Sequence, residues 1–201
     1  MTALVDALLV AAAFVVGAIP FGVLISRTLY GTDIRTSGSG NIGAANALRT
    51  LGKRGAVMVL LLDALKGFAP ALAARALGGQ ELAALAGLAA VAGHCWSPFL
   101  GMRGGKGVAT AFGVLFALWW WAALAFALVW IAAVLAWGFA SVGSMLAIAA
   151  MGPVLWFGIG RAGLLYGVLS AILVIWRHRE NLERLRSGTE NRFSLMKPRR
   201  S

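Results

Sequence analysis

The 54 residues from Gly107 to Gly160 include no Asp, Glu, Lys or Arg. A water-soluble domain carries a charge at roughly one residue in four, so a stretch this long and this apolar belongs in hydrocarbon. The whole chain agrees, with 60% hydrophobic residues, 12% charged residues and a mean hydropathy of +0.83. Charge is costly inside a bilayer, so the polar segments that such a chain retains are where its function should be sought. Three remain: SGSGNIGAANALRTLGKR from Ser37, GMRGGKG from Gly101, and HRENLERLRSGTENR from His178.

Apolar runs that can span are Leu4 to Ile25, Gly55 to Ala74, Leu82 to Leu100, the long stretch after Lys106, and Ala162 to Trp176. Cut in three, the long stretch makes helices of about 18 residues, each about 27 Å long against a hydrocarbon core of about 30 Å. Breaks are expected near Trp119 to Trp121 and near Gly138 to Gly143. The expected fold is an all-α integral membrane protein, a bundle of seven transmembrane helices. Residues 1–201 form a single membrane-embedded domain with a basic tail over about 177–201. No Lys or Arg precedes the first run and Arg27 follows it, so it reads as a retained span with the N-terminus outside. An odd number of spans then puts the C-terminus in the cytoplasm. Fifteen of the 18 Lys and Arg residues lie in the three polar segments and their flanks, which gathers those segments on the cytoplasmic face. Lys66, Arg75 and Arg161 are the exceptions.

A net charge of +11 concentrated at span ends points to anionic lipid or an anionic substrate, not to nucleic acid. One cysteine, Cys95, excludes an internal disulfide and reads as a small buried hydrophobe. Two histidines and no paired-Asp motif leave no expected metal site and no expected cofactor.

Gly38, Gly40 and Gly43 spell GxGxxG, with Asp63 about twenty residues further on. The dinucleotide reading fails, because a membrane span and not a strand precedes the motif. What survives is local: glycine amides can converge on an anion, with Ser39 and Asn41 adding side-chain donors. Arg49, expected at the start of the next helix, can make a bidentate phosphate contact. GMRGGKG is one residue short of a nucleotide-binding loop and has Gly107 where Ser or Thr would hold magnesium. Gly104, Gly105 and Gly107 nevertheless put helix N-terminal amides beside Lys106. In the third segment His178 and Asn181, three residues apart, share a helical face, and Gly188 ends the helix. Blander readings fit each segment: loops that set topology, and a juxtamembrane helix that binds anionic lipid. Asp63 and Lys66 read as a neutralising pair within the bundle, and His94 as a packing or hydrogen-bonding residue.

Together SGSGNIGAAN, LRTLGKR, DALKG, GH with GMRGGKGVAT, and HRENLERLRSGTENR resemble the bacterial acyl-phosphate:glycerol-3-phosphate acyltransferase family, from about Gly17 to Phe193. The resemblance implies a seven-span inner-membrane enzyme with its site on the cytoplasmic side. It implies transfer of a fatty acyl group from acyl phosphate to the 1-hydroxyl of glycerol 3-phosphate, giving lysophosphatidic acid and phosphate. The catalytic residues it implies are Ser39, Arg49, Lys106, His178 and Asn181. Gly38, Gly40, Asn41, Gly43, Asn46, Gly104, Gly105 and Gly107 would bind substrate, and Glu190 would brace the site. Ala45 departs from the Thr of many family members.

Two phosphorylated substrates repel one another, so cations must offset the charge; Arg49 and Lys106 do so, with Arg35 and Arg103 expected nearby. His178 is read as a phosphate-binding donor, with the substrate's own phosphate taking the hydroxyl proton; a general-base role for His178 is the alternative. The acyl chain is expected among the spans, in an apolar groove open to the inner leaflet. The competing class is an organic-phosphate transporter or channel, which would favour midplane sites in repeated halves. A lipid-binding scaffold is the third.

Overall fold

A computed structural model describes residues 2–193, which are helical with intervening loops and contain no strand. Four helical stretches are long and apolar enough to cross a membrane: Ala3–Tyr30, Gly52–Leu100, Trp120–Trp137 and Ala140–Arg177. Large apolar side chains face outward, with Phe157 86% and Leu135 80% exposed. That is the arrangement of a surface solvated by lipid.

The expected first span is interrupted. Helix α1 runs Ala3–Gly17 and α2 Phe21–Tyr30, separated at Pro20, which has no N–H to continue the ladder. The carbonyls released at the break are met from elsewhere in the bundle. Ser97 Oγ donates to Ala18 O at 2.6 Å and Lys66 Nζ to Ile19 O at 2.7 Å.

Helix α3 (Ala44–Thr50) leads into α4 (Gly52–Cys95), whose 44 residues would extend about 66 Å if straight. Gly79, with φ of 78° and ψ of −166°, breaks it into residues 52–78 and 80–95. The two halves fold back on one another. Asp63 in the first half and His94 in the second approach to 3.7 Å. Asp63 also pairs with Lys66 at 2.6 Å, as the three-residue spacing led one to expect.

The uncharged stretch breaks where expected but not into equal thirds. Helix α5 (Val108–Leu118) stops at Trp119, which is extended, and α6 (Trp120–Trp137) stops at Gly138 with φ of 78°. At 11 residues α5 rises only about 16 Å, roughly half a bilayer core. Its last carbonyls are capped by side chains, Arg75 Nη1 on Ala117 O at 2.7 Å and Gln80 Nε2 on Leu118 O at 3.2 Å. Both donors flank the Gly79 bend, which explains polar residues there. Helix α5 lies very close against α4: a Cβ at Gly113 would stand 1.9 Å from Ala64 O.

Helix α7 (Ala140–Ala149) passes through Ala150 into α8 (Met151–Arg177), itself broken at Ile159 and Gly160. Its halves also fold back, since a Cβ at Gly167 would stand 2.6 Å from the Gly152 Cα. His178 interrupts the helix again before α9 (Arg179–Arg186), which ends at Gly188 with φ of 72°, as expected. Cys95 is fully buried, in line with its reading as a small hydrophobe.

Candidate functional site

A cavity of about 360 Å³ brings the three polar segments together. Ser39, Asn41, Gly43, Asn46 and Arg49 come from the first, Lys106 and Gly107 from the second, and His178, Asn181, Arg184 and Glu190 from the third. All five residues expected to be catalytic line it. Leu60, Phe112, Phe126, Trp130 and Ile131 extend the wall along α4, α5 and α6, so the cavity is lined by both charged and apolar side chains.

The first segment is organised by Asn46. Its Oδ1 accepts from Ser39 N at 2.8 Å, and its Nδ2 lies within 2.8–3.1 Å of the carbonyls of Ile34, Ser37 and Asn41. Its carboxamide thus holds the loop, while the residue also lines the cavity. Asn41 Oδ1 likewise accepts from Gly43 N at 2.9 Å. The amides of Ser39 and Gly43 are therefore occupied by side chains of the same segment. Gly38 and Gly40 adopt φ of 61° and 69° to make this turn and do not line the cavity. Arg49 lies in the last turn of α3, not at a helix start.

In the second segment Gly104 and Gly105 also fail to reach the cavity wall. Their amides donate to Cys95 O and His94 O at 3.1 and 3.0 Å, and their carbonyls accept from Arg177. Gly107, with φ of 81°, turns the chain into α5. The Lys106 side chain extends from this loop into the site, where its Nζ donates to Asn181 Oδ1. Burial, helped by the Arg184 charge, pulls the Lys106 pKa down to about 8.

The third segment closes around Glu190. Its carboxylate accepts from Asn181 Nδ2 at 2.6 Å, Ser141 Oγ at 2.8 Å and Arg184 Nε at 2.8 Å. Burial works against the charge, but these hydrogen bonds outweigh it and leave the carboxyl below the usual glutamate range. Glu190 thereby ties α9 to α7 through Ser141. Ser141 was read only as part of a turn; its partner lies 49 residues away, and no local signal marks it.

His178 Nδ1 lies 2.7 Å from Val174 O. A carbonyl can only accept, so Nδ1 carries the proton and Nε2 keeps its lone pair. Burial and the Lys106 charge lower the His178 pKa to about 4, which keeps the ring neutral near pH 7. A neutral imidazole in this tautomer presents Nε2 as a hydrogen-bond acceptor.

Arg35 and Arg103 line a separate cavity of about 690 Å³ with Asp33, Thr36, Gly40 and Gly104. Arg35 is held by Asp33 at 2.6 Å. Neither lines the cavity that holds Arg49 and Lys106. Asp63 and His94 line the main cavity, a placement their apolar context did not reveal.

Fold and site together define a polytopic helical membrane protein with a cavity lined by cations and apolar side chains. The sequence profile of the family described as glycerol-3-phosphate acyltransferase matches residues 7–188, and the chain belongs to that family. A glycerol-3-phosphate acyltransferase of Geobacter metallireducens is 51% identical over 192 residues, 94% of this chain and 98% of that protein. One from Rubrobacter xylanophilus is 44% identical, covering 94% of this chain and 96% of that protein. The crystal structure of PlsY (YgiH), an integral membrane glycerol 3-phosphate acyltransferase, in its glycerol 3-phosphate form superposes with a TM-score of 0.89 at 42% identity, covering 94% of this chain and 96% of that one. Its lysophosphatidic acid form gives a TM-score of 0.88 at 41% identity, with the same coverage.

Proposed function

We propose that this chain transfers a fatty acyl group from acyl phosphate to the 1-hydroxyl of glycerol 3-phosphate, releasing lysophosphatidic acid and phosphate. The observation that carries the reading is the lining of the cavity: the cations Arg49, Lys106 and Arg184 together with the apolar Phe112, Phe126 and Trp130 suit a substrate with a phosphate head and an acyl tail. Arg49 and Lys106 hold the two phosphates against their mutual repulsion and stabilise charge gathering on the departing one. Ser39 and Asn181 orient the glycerol backbone. The hydroxyl oxygen bonds to the acyl carbon as the acyl carbon–phosphate oxygen bond breaks. His178 Nε2, the open acceptor, orients the hydroxyl by accepting its hydrogen bond, and the proton passes to the departing phosphate, which leaves as hydrogen phosphate. No metal or cofactor enters this scheme.

The same reading places residues 1–201 in one domain of seven spans in the bacterial inner membrane. It sets the N-terminus outside and the site and tail on the cytoplasmic side. The segments supporting seven are α1 with α2, the two halves of α4, α5, α6, α7 with the first half of α8, and the second half of α8. The part of the tail from residue 194 lies outside the described residues. Protein purified in detergent should make lysophosphatidic acid from acyl phosphate and glycerol 3-phosphate without coenzyme A or acyl carrier protein. A transporter or scaffold would give no product. Thiol labelling of single cysteines placed near Ser39 and near Gly188 in intact cells and in inverted vesicles should find both on the cytoplasmic face. Labelling from opposite sides would overturn the topology.

A further inference from the structure

We propose that Arg177 is a positioning residue that clamps the loop carrying Lys106 onto the segment carrying His178 and Asn181. Its Nη2 donates to Gly104 O at 2.9 Å and its Nε to Gly105 O at 3.0 Å, across more than 70 residues of chain. Those two carbonyls immediately precede Lys106. The amides of the same glycines are tied to the end of α4, so the loop is held from both sides. One further link closes the circuit: Lys106 Nζ reaches Asn181, four residues beyond Arg177.

The geometry calls for a guanidinium. A rigid fork can donate in two directions to successive carbonyls, whereas a lysine ammonium is a single point on a flexible stem. Arg177 also stands over the Trp96 ring at 5.9 Å, which fixes the fork from behind. Gly104 and Gly105 cannot be held this close if they carry side chains, since a Cβ at either would fall 2.0–2.1 Å from a His94 atom. Arg177 does not line the cavity. Its effect on turnover passes through the placement of Lys106, and so rests on the phosphate-holding role given to Lys106 above.

The test uses full-length protein in detergent, with acyl phosphate and glycerol 3-phosphate as substrates. Arg177→Ala should lower kcat/KM for glycerol 3-phosphate by at least about tenfold, the loss of one charge-assisted contact. Arg177→Lys, which keeps the charge but not the fork, should recover little of it. In a Lys106→Ala background the same Arg177→Ala change should cost nothing further. An independent arm is the alkaline limb of the pH–rate profile. The charged and titratable groups around Lys106 are Arg49, Asp63, Lys66, His94, Arg177, His178, Glu180, Arg184 and Glu190. Releasing the loop admits water and removes the Arg177 charge, and both changes move the limb to higher pH.

Full rescue by Arg177→Lys, an equal loss with and without Lys106, or an unmoved limb in a folded, slower variant would each overturn the clamp. Wild-type turnover by Lys106→Ala would overturn the reading of the site along with it. If Arg177→Ala fails to fold, Arg177→Gln, which keeps a single donor group, reads the same arms.

Discussion

Lys106 and Asn181, 75 residues apart in sequence, are joined directly, the lysine ammonium donating to the asparagine carboxamide oxygen. The same carboxamide donates to Glu190, which Ser141 and Arg184 also hold. The cation expected to hold phosphate is therefore fixed by a chain of hydrogen bonds through Asn181, Glu190 and Arg184 of the third segment.

Ser39→Ala, Arg49→Ala and Lys106→Ala should each lower turnover by at least about tenfold, corresponding to about 1.4 kcal/mol of lost transition-state stabilisation. Steady-state assays in detergent check this, and undiminished rates for all three would remove the site.

Activity should fall as pH rises through about 8, where Lys106 gives up its proton. Lys106→Arg keeps its charge at any accessible pH, so its slower profile should lack this limb. A limb of unchanged position in the arginine variant would assign it to another group.

Glu190→Ala should destabilise the fold as well as slow it, because it leaves Ser141, Asn181 and Arg184 without their acceptor. A hydrogen bond to a charged group contributes about 1.5–3 kcal/mol, so thermal unfolding should shift by several degrees. The pH dependence has a definite sign. The folded-state pKa of Glu190 is lowered, so its stabilisation is present above the ordinary glutamate value and is lost as pH falls through the folded value. Stability that rose on acidification would contradict the arrangement.

Asp63 and Lys66 are 1% and 2% exposed at their side chains and 2.6 Å apart. Removing either alone should cost about 3–5 kcal/mol, because a buried charge is left unpaired. The double variant Asp63→Leu with Lys66→Met should lose less than the sum of the singles. Chemical denaturation of the three variants measures the difference, and simple additivity would argue against the pair.

Gly113→Ala should force α5 off α4, since its methyl group would meet the Ala64 backbone and not a movable side chain. A lowered unfolding temperature is expected; an unchanged one would mean that the helices separate freely.

Residence in the membrane was legible in the sequence, because the cost of burying charge in hydrocarbon acts on every residue regardless of its partners. So were the breaks at Trp119 and Gly138, marked by a Trp cluster and a Ser/Gly run within the apolar stretch, and the stop at Gly188; the five cavity residues from Ser39 to Asn181 were legible because each sits in a polar segment that the bilayer would otherwise exclude. Pro20 was legible in principle, yet its break was hidden within a run apolar enough to span. Other features were decided only when distant parts met. Asn46 and the amides of Gly104 and Gly105 are consumed in holding loops, Arg35 is turned aside by Asp33, and the His178 tautomer follows from one carbonyl. Hydropathy is a property each residue carries alone, whereas a donor's availability depends on which acceptor folding brings within 3 Å. That is why sequence alone determined where the chain lives and which islands matter, while the tertiary structure chose which atoms remain free for chemistry.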